Sequence, residues 1–233
     1  IDGKPTRGLG LSSDIIPMMR GRKGEPIELT VVSKGETEPV VHRIVRAKID
    51  LPSVLGDRAL EKGKWDYILE GHPRIGYIRV LNFGKHTVRE LKAALDAAVR
   101  QGAKGIVLDL RNDPGGLLDA AVGAGDLFLP AGKTIVVTKN RGGKIQEEHV
   151  SNGSGPFADL PLVILVNRYS ASASEIVAAC LQDHERAIVV GERTWGKGTV
   201  QQVIPIEAGR SLLKLTSASY WRPSGRNIHR MKD

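Results

Sequence analysis

The sequence predicts an α/β protein: a layered core on a buried, largely parallel sheet, preceded by a small α+β piece. Three observations carry this. From residue 74 onward, apolar strand-like runs alternate with amphipathic helical runs. The strand runs, such as Gly105 to Leu110 and Leu162 to Val166, are apolar almost throughout, as in parallel strands covered by helices. Ahead of residue 50 the pattern is instead one short helix and one hairpin.

In the first piece, residues 1–49, Ile1 to Lys4 reads as a strand end entering a turn. Ser12-Ser13-Asp14 can cap a helix through Arg20, which Gly21 ends. Ile27 to Val32 and Val40 to Val45 read as strands that pair across a Lys34-Gly35 turn. Two strands and a helix bury little, so the piece reads as part of a larger domain. Residues 50–73 form a connector with Pro52, Gly56 and Gly63.

The main body, residues 74–233, opens with a strand from Gly76 to Val80. Thr87-Val88-Arg89-Glu90 has the capping-box pattern, and the stripe Val88, Leu91, Leu95, Ala98, Val99 follows it until Gly102. Gly105 to Leu110 is the next strand, and Leu117 to Phe128 is helical. Strands are expected at Thr134–Thr138, Leu162–Val166, Ala187–Val190 and Thr199–Ile206, with a helix from Ala171 to Gln182. Leu212 to Tyr220 reads as an edge strand.

The 233 residues are 41% hydrophobic and 26% charged, which excludes wholesale disorder and a disulfide scaffold. The net charge of +8 raises nucleic acid as a partner. Its densest basic cluster, Arg20 to Lys23, holds only Arg20, Arg22 and Lys23, so an evenly solvated basic surface is the better reading. The single cysteine, Cys180, lies in an apolar helical run and reads as a small buried hydrophobe. No apolar stretch reaches the roughly 18–20 residues of a membrane span.

Three segments could carry chemistry. Asp109 to Leu118 ends a strand in a Pro114-Gly115-Gly116 turn before a helix. That turn is either a tight connection or a nest of outward N–H groups for an oxyanion. Asn167 to Ile176 sets Ser170, Ser172 and Ser174 among alanines at a strand-to-helix junction. Serines there are common helix caps, yet a hydroxyl at that point also has a helix N-terminus beside it. Gly191 to Gln201 nearly matches a phosphate-binding loop, but Gly198 stands where a hydroxyl is required and a strand follows, so no nucleotide is expected. Lys197 is then either a solvated turn lysine or one delivered into a site.

The six histidines have neither metal-ligand spacing nor a place beside the serines, so no metal or cofactor is expected. His184 lies about 18 Å along the helix from Ser172. What remains is a serine–lysine pairing. An unperturbed lysine is neutral in only about 1 molecule in 2500 at pH 7, so a base needs shielding, which Trp195 could provide.

Together, Ser170-Ala171-Ser172-Ala173-Ser174-Glu175-Ile176, Gly196-Lys197-Gly198-Thr199-Val200-Gln201-Gln202 and the Asp109–Leu118 turn resemble the carboxyl-terminal processing proteases, also called tail-specific proteases. The resemblance runs over nearly the whole chain, from Ile1-Asp2-Gly3-Lys4 to Pro223-Ser224-Gly225-Arg226. It implies a ClpP/crotonase-like protease core. It implies Ser172 as nucleophile, Lys197 as general base and Gln201 as the residue that orients the lysine. It also implies the N–H groups of Gly116 and Ala173 as the oxyanion hole. No metal, nucleotide or other cofactor is implied. The implied partners are proteins or peptides with free apolar C-termini, with a regulatory or adaptor protein as a further partner; the implied compartment is extracytoplasmic. Residues 1–49 resemble only the C-terminal part of a PDZ domain, without its peptide-receiving strand, and the protease core stops short of its usual last strand. A silent module of the same fold that binds apolar ligands or peptide tails is the alternative.

Overall fold

A computed structural model describes every residue except 49–50, 154, 207–210 and 231–233. The chain divides into two compact units, Ile1–Leu51 and Pro52–Asp233.

The first unit holds one π-helical turn, Leu11–Ile15, that runs into α1 (Ile16–Met19), and a hairpin of β1 (Pro26–Val31) and β2 (Val40–Val45). Asp14 does not cap the helix from its start. Its carboxylate reaches back to the Gly10 N–H at 2.9 Å and the Ser13 hydroxyl at 2.8 Å. Pairing runs Pro26↔Val45 to Val31↔Val40. Arg46 ties the two parts together, donating to the carbonyls of Met19 and Pro26. Ile27 is the only buried apolar side chain among the described residues of this unit.

The second unit is built on two sheets. Its first elements are β3 (Val54–Leu55), a small ladder of β4 (Arg58–Ala59) with β5 (Trp65–Asp66), β6 (Ile75–Val80), α2 (Thr87–Arg100) and β7 (Gly105–Asp109). Then come α3 (Leu118–Asp126), β8 (Thr134–Lys139), β9 (Ile145–Val150), β10 (Leu162–Val166), α4 (Ala173–Asp183), β11 (Ile188–Gly191), β12 (Thr199–Ile206) and β13 (Ser211–Trp221). The main sheet has the order β11-β10-β7-β6-β3; its first four strands are parallel and β3 is antiparallel. The second sheet, β12-β13-β8-β9, is antiparallel.

Three expectations change here. The run 212–220 is not an edge strand. β13 lies between β12 and β8. The parallel strands are not buried on both faces. Ile78, Val80, Ile106, Leu108, Ile164 and Val166 are buried, whereas Tyr77, Val107, Val163 and Leu165 are half-exposed. The capping box at Thr87 does not close. The Glu90 carboxylate instead takes the N–H and hydroxyl of Ser53, at 2.8 and 2.7 Å, and so fixes the residue before β3. The Thr87 hydroxyl, fully buried, accepts from the Gly84 N–H and sits 2.7 Å from the Ser53 hydroxyl.

Of the expected helix stripe, Leu91, Leu95 and Ala98 are buried against the core, joined by Ala94, whereas Val88 is half-buried and Val99 is exposed. Helices α2, α3 and α4 pack on one another, with β6, β8 and β11 also in contact with them. Because β6, β7, β10 and β11 run parallel, the turns leaving β7 and β10 emerge at the same end of the sheet, where sites in such sheets collect.

Leu95 has no exposed surface. Leu95→Ala should lower stability by about 2–5 kcal/mol through lost burial plus a cavity, measured by denaturant unfolding.

Candidate active site

The turn after β7 is rigid by construction. Asp109 is buried and accepts from the Arg111 guanidinium at 2.7 Å and the Tyr77 hydroxyl at 2.5 Å. Burial alone would raise its carboxyl, but Arg111 and Tyr77 hold it below its ordinary value. Two residues beyond Arg111, Asp113 is also fully buried. One of its carboxyl oxygens takes the Gly115 N–H at 2.7 Å, and the other has no partner. Burial pushes this carboxyl up to about 7, against the pull of the Gly115 N–H and the nearby Ser174 hydroxyl.

Gly115 and Gly116 then run alongside Phe83. The Phe83 N–H donates to the Gly115 carbonyl at 3.0 Å, and the Leu117 N–H donates to the Phe83 carbonyl at 2.7 Å. A Cβ at Gly116 would collide with the Phe83 carbonyl, and φ there is 156°. The alternation leaves the Gly116 N–H between those two bonds, without an acceptor among the described residues.

The turn after β10 meets this one. Ser170 and Ser174 are buried and hold the two turns together, donating to the carbonyls of Leu110 at 2.7 Å and Asp113 at 3.1 Å. The Ala171 N–H adds a bond to the Asp113 carbonyl at 3.0 Å. Ser172, between them, precedes α4 at φ 58° and ψ −114°. A non-glycine residue at such angles stores about 1–3 kcal/mol of backbone strain. The sequence lacks the G-x-S-x-G pattern, yet this is a strained strand-to-helix turn that lifts a serine hydroxyl out of the backbone. Ser172 and Glu175 form a capping box at the start of α4, and the Ser172 hydroxyl donates to no group among the described residues. Ala173 opens the helix, so its N–H has no intrahelical acceptor, and it has no other among the described residues. A Cβ built on Gly115 would lie 2.7 Å from Ala173 N and 2.8 Å from Ser172 Cβ. The two free N–H groups therefore belong to turns in direct contact beside Ser172.

The third segment is secured by Glu175, to which the sequence assigns no role of its own beyond its place in the Ser170–Ile176 motif. It is 4% exposed and its carboxylate gathers four donors. These are the Ser172 N–H at 2.8 Å, the Thr194 hydroxyl at 2.7 Å, the Gly196 N–H at 2.6 Å and the Lys197 N–H at 2.8 Å. The Ser172-x-x-Glu175 spacing of a capping box was the available signal; that its carboxylate also binds residues 194–197 was not legible. From the other side, the Arg230 N–H donates to the Gly196 carbonyl and the Tyr220 N–H to the Gly198 carbonyl, at 3.0 and 2.8 Å. A Cβ on Gly198 would collide with the His229 backbone, so only glycine lets that strand of chain lie against Lys197.

Glu175 thus fixes the main chain of Lys197 to the start of the helix that follows Ser172. The lysine side chain is exposed and makes no hydrogen bond among the described residues. Trp195 is 60% exposed, so the expected shielding of the amine by Trp195 is not found. The Gln201 amide donates to Thr216 at 2.7 Å and Thr199 at 3.3 Å, with the strand irregular at Val200/Gln201. His184 bonds the Thr134 carbonyl at 2.7 Å, away from the serines. Cys180 is buried as expected, and burial pushes its thiol up to about 12.

Replacing Glu175 tests the junction. Glu175→Gln puts an NH₂ where N–H donors converge, leaving buried donors unpaired. Hydrogen exchange at Gly196 and Lys197 should accelerate, and the midpoint of thermal unfolding should fall.

The chain resembles known proteins over this whole arrangement. The model of peptidase family S41 matches residues 74–232. The carboxyl-terminal-processing protease of Synechocystis sp. is 39% identical over 231 residues, covering 99% of this chain and 51% of that protein. The corresponding protease of Bartonella bacilliformis is 39% identical over 236 residues, covering 98% of this chain and 50% of that protein. Among solved structures, the photosystem II D1 C-terminal processing protease superposes with a TM-score of 0.65 at 30% identity, over 97% of this chain and 58% of that one. The chain thus spans about half the length of the curated relatives it matches. A family model matched across the whole second unit from β6 onward shows that the chain belongs to peptidase family S41, the serine peptidases that include the carboxyl-terminal processing proteases.

Proposed function

We propose that the protein is a serine endopeptidase that cleaves proteins after engaging their C-terminal tails, through a Ser172–Lys197 dyad. The observation that carries this is Ser172 on a strained turn, its hydroxyl donating to no group among the described residues, on turns that also carry the unengaged N–H groups of Gly116 and Ala173. Ser172 Oγ attacks the scissile carbonyl while the Lys197 amine takes its proton and then passes it to the leaving amine. The carbonyl oxygen gathers negative charge between the Gly116 and Ala173 N–H groups, where donors already point outward. The acyl-enzyme is released by water, with the same amine as base.

Glu175 supports the role of Lys197, because it fixes the lysine backbone and leaves the long side chain free to reach the hydroxyl. Gln201 is assigned to orient that amine once it turns inward from Thr216. We assign residues 1–49 to the C-terminal part of a PDZ domain; the hairpin and helical segment support this. We assign the protein to an extracytoplasmic compartment, as the resemblance to the carboxyl-terminal processing proteases implies. Among the described residues no helix is long and apolar enough to cross a membrane. A silent tail-binding module of the same fold would also expose Lys197, so cleavage is the deciding readout.

A peptide with a free apolar C-terminus supplies that readout. Ser172→Ala and Lys197→Ala should each lower kcat/KM by at least about a thousandfold, and the double variant should lose little more, because the two act as a unit. Turnover at the parent rate in either single variant would overturn the dyad.

A further inference from the structure

Asp113 is a buried acid near the site that the proposed chemistry leaves unused and that no basic side chain pairs. It has no exposed surface. Its contacts all serve the two turns around Ser172. One carboxyl oxygen accepts the Gly115 N–H, and its main-chain carbonyl accepts the Ala171 N–H and the Ser174 hydroxyl. The second carboxyl oxygen is buried with no partner.

The charged groups on the packed elements do not compensate it. Asp109 and Arg111, on its own turn, are bonded to each other. Glu175, across the helix start, is occupied by residues 172 and 194–197. The neighbouring segment presents Phe83, which is apolar. No charged side chain perturbs the Asp113 carboxyl; only the Gly115 N–H and the nearby Ser174 hydroxyl, which bonds the Asp113 main-chain carbonyl, act against its burial. An ionised carboxylate here would be an unpaired buried charge with one bare oxygen, which is strongly unfavourable. Such a group relieves itself by staying neutral or by turning toward water.

We propose that Asp113 is a positioning residue for the reaction: its neutral carboxyl fixes the turn that aims the Gly116 N–H at the substrate oxygen, and its ionisation releases that turn. This rests on the oxyanion role proposed above for Gly116. On ionisation the Gly115 N–H bond strengthens but cannot solvate the bare second oxygen, so the carboxylate is drawn toward water and pulls the turn with it. Gly115 packs directly on Ser172 and Ala173, so the turn loosens at the place where the oxyanion forms. The proton on Asp113 then sets an alkaline limit on turnover, opposite in direction to the rise expected from deprotonating a lysine base.

The test compares kcat of the intact protein with that of Asp113→Asn across pH. Asparagine keeps an acceptor for the Gly115 N–H and cannot ionise. The lysine contribution cancels in the ratio of the two. With the carboxyl at about 7, the ratio of native to Asp113→Asn kcat should fall about thirtyfold between about pH 5.5 and about pH 8.5. A residue that merely packs would give a ratio independent of pH, and that result would overturn the proposal. Asp113→Ala removes the acceptor at every pH and should lower kcat throughout.

A second measurement does not depend on turnover. In Ser172→Ala protein, the Asp113 carboxyl should titrate near 7 when followed by carbon NMR. Because its folded value lies above the unfolded 3.8, the folded state holds the proton more tightly. Stability should therefore fall as pH rises from about 4 to about 7 and level off above, and the fall should vanish with Asp113→Asn. Titration near 4 would sink the proposal. Undiminished cleavage by Ser172→Ala would instead sink the nucleophile assignment, while the titration and stability curves would still judge Asp113.

Discussion

Everything at the site depends on one buried carboxylate with its acceptor capacity filled. Glu175 sits at the first turn of α4, where the helix dipole favours a negative charge. Burying that charge is tolerable only because four donors converge on it. Those donors come from residues 172, 194, 196 and 197, so the satisfaction of one charge brings the two halves of the proposed dyad onto one rigid element. Remove the carboxylate and the helix persists, but the loop after β11 loses the contact that tells it where Ser172 is.

Close backbone approach is the second constraint. The serine turn, the Phe83 strand extension and the segment ending at Arg230 all press on loops where a Cβ has no room. The glycines permit the contacts, and the buried hydroxyls of Ser170 and Ser174 hold them. The free N–H groups of Gly116 and Ala173 follow from this geometry: each lies at a place where the regular bonding pattern has just ended or just begun.

The sequence revealed what was local. The α2 stripe, the β7 and β10 runs and the three motif segments are periodic or contiguous patterns, and their elements form where those patterns predict them. What it concealed was long-range. Glu90 abandons the cap for Ser53, which lies 37 residues away. Glu175 reaches 22 residues forward to Lys197. β13 becomes an interior strand because β8, from far earlier in the chain, pairs with its other edge, Ser219 against Lys139. The exposure of Trp195 and Lys197 was equally invisible, since the sequence placed an aromatic next to the lysine without saying which way either faces.

Cys180 gives the molecule an unplanned gauge. It is the only cysteine in the chain, it is fully buried, and its thiol is held in the unreactive protonated form. It lies on α4, the helix that begins immediately after Ser172. An alkylating reagent can modify it only when that helix opens. The rate of its capture therefore reports, without any introduced label, the opening free energy of the one element on which the nucleophile is mounted.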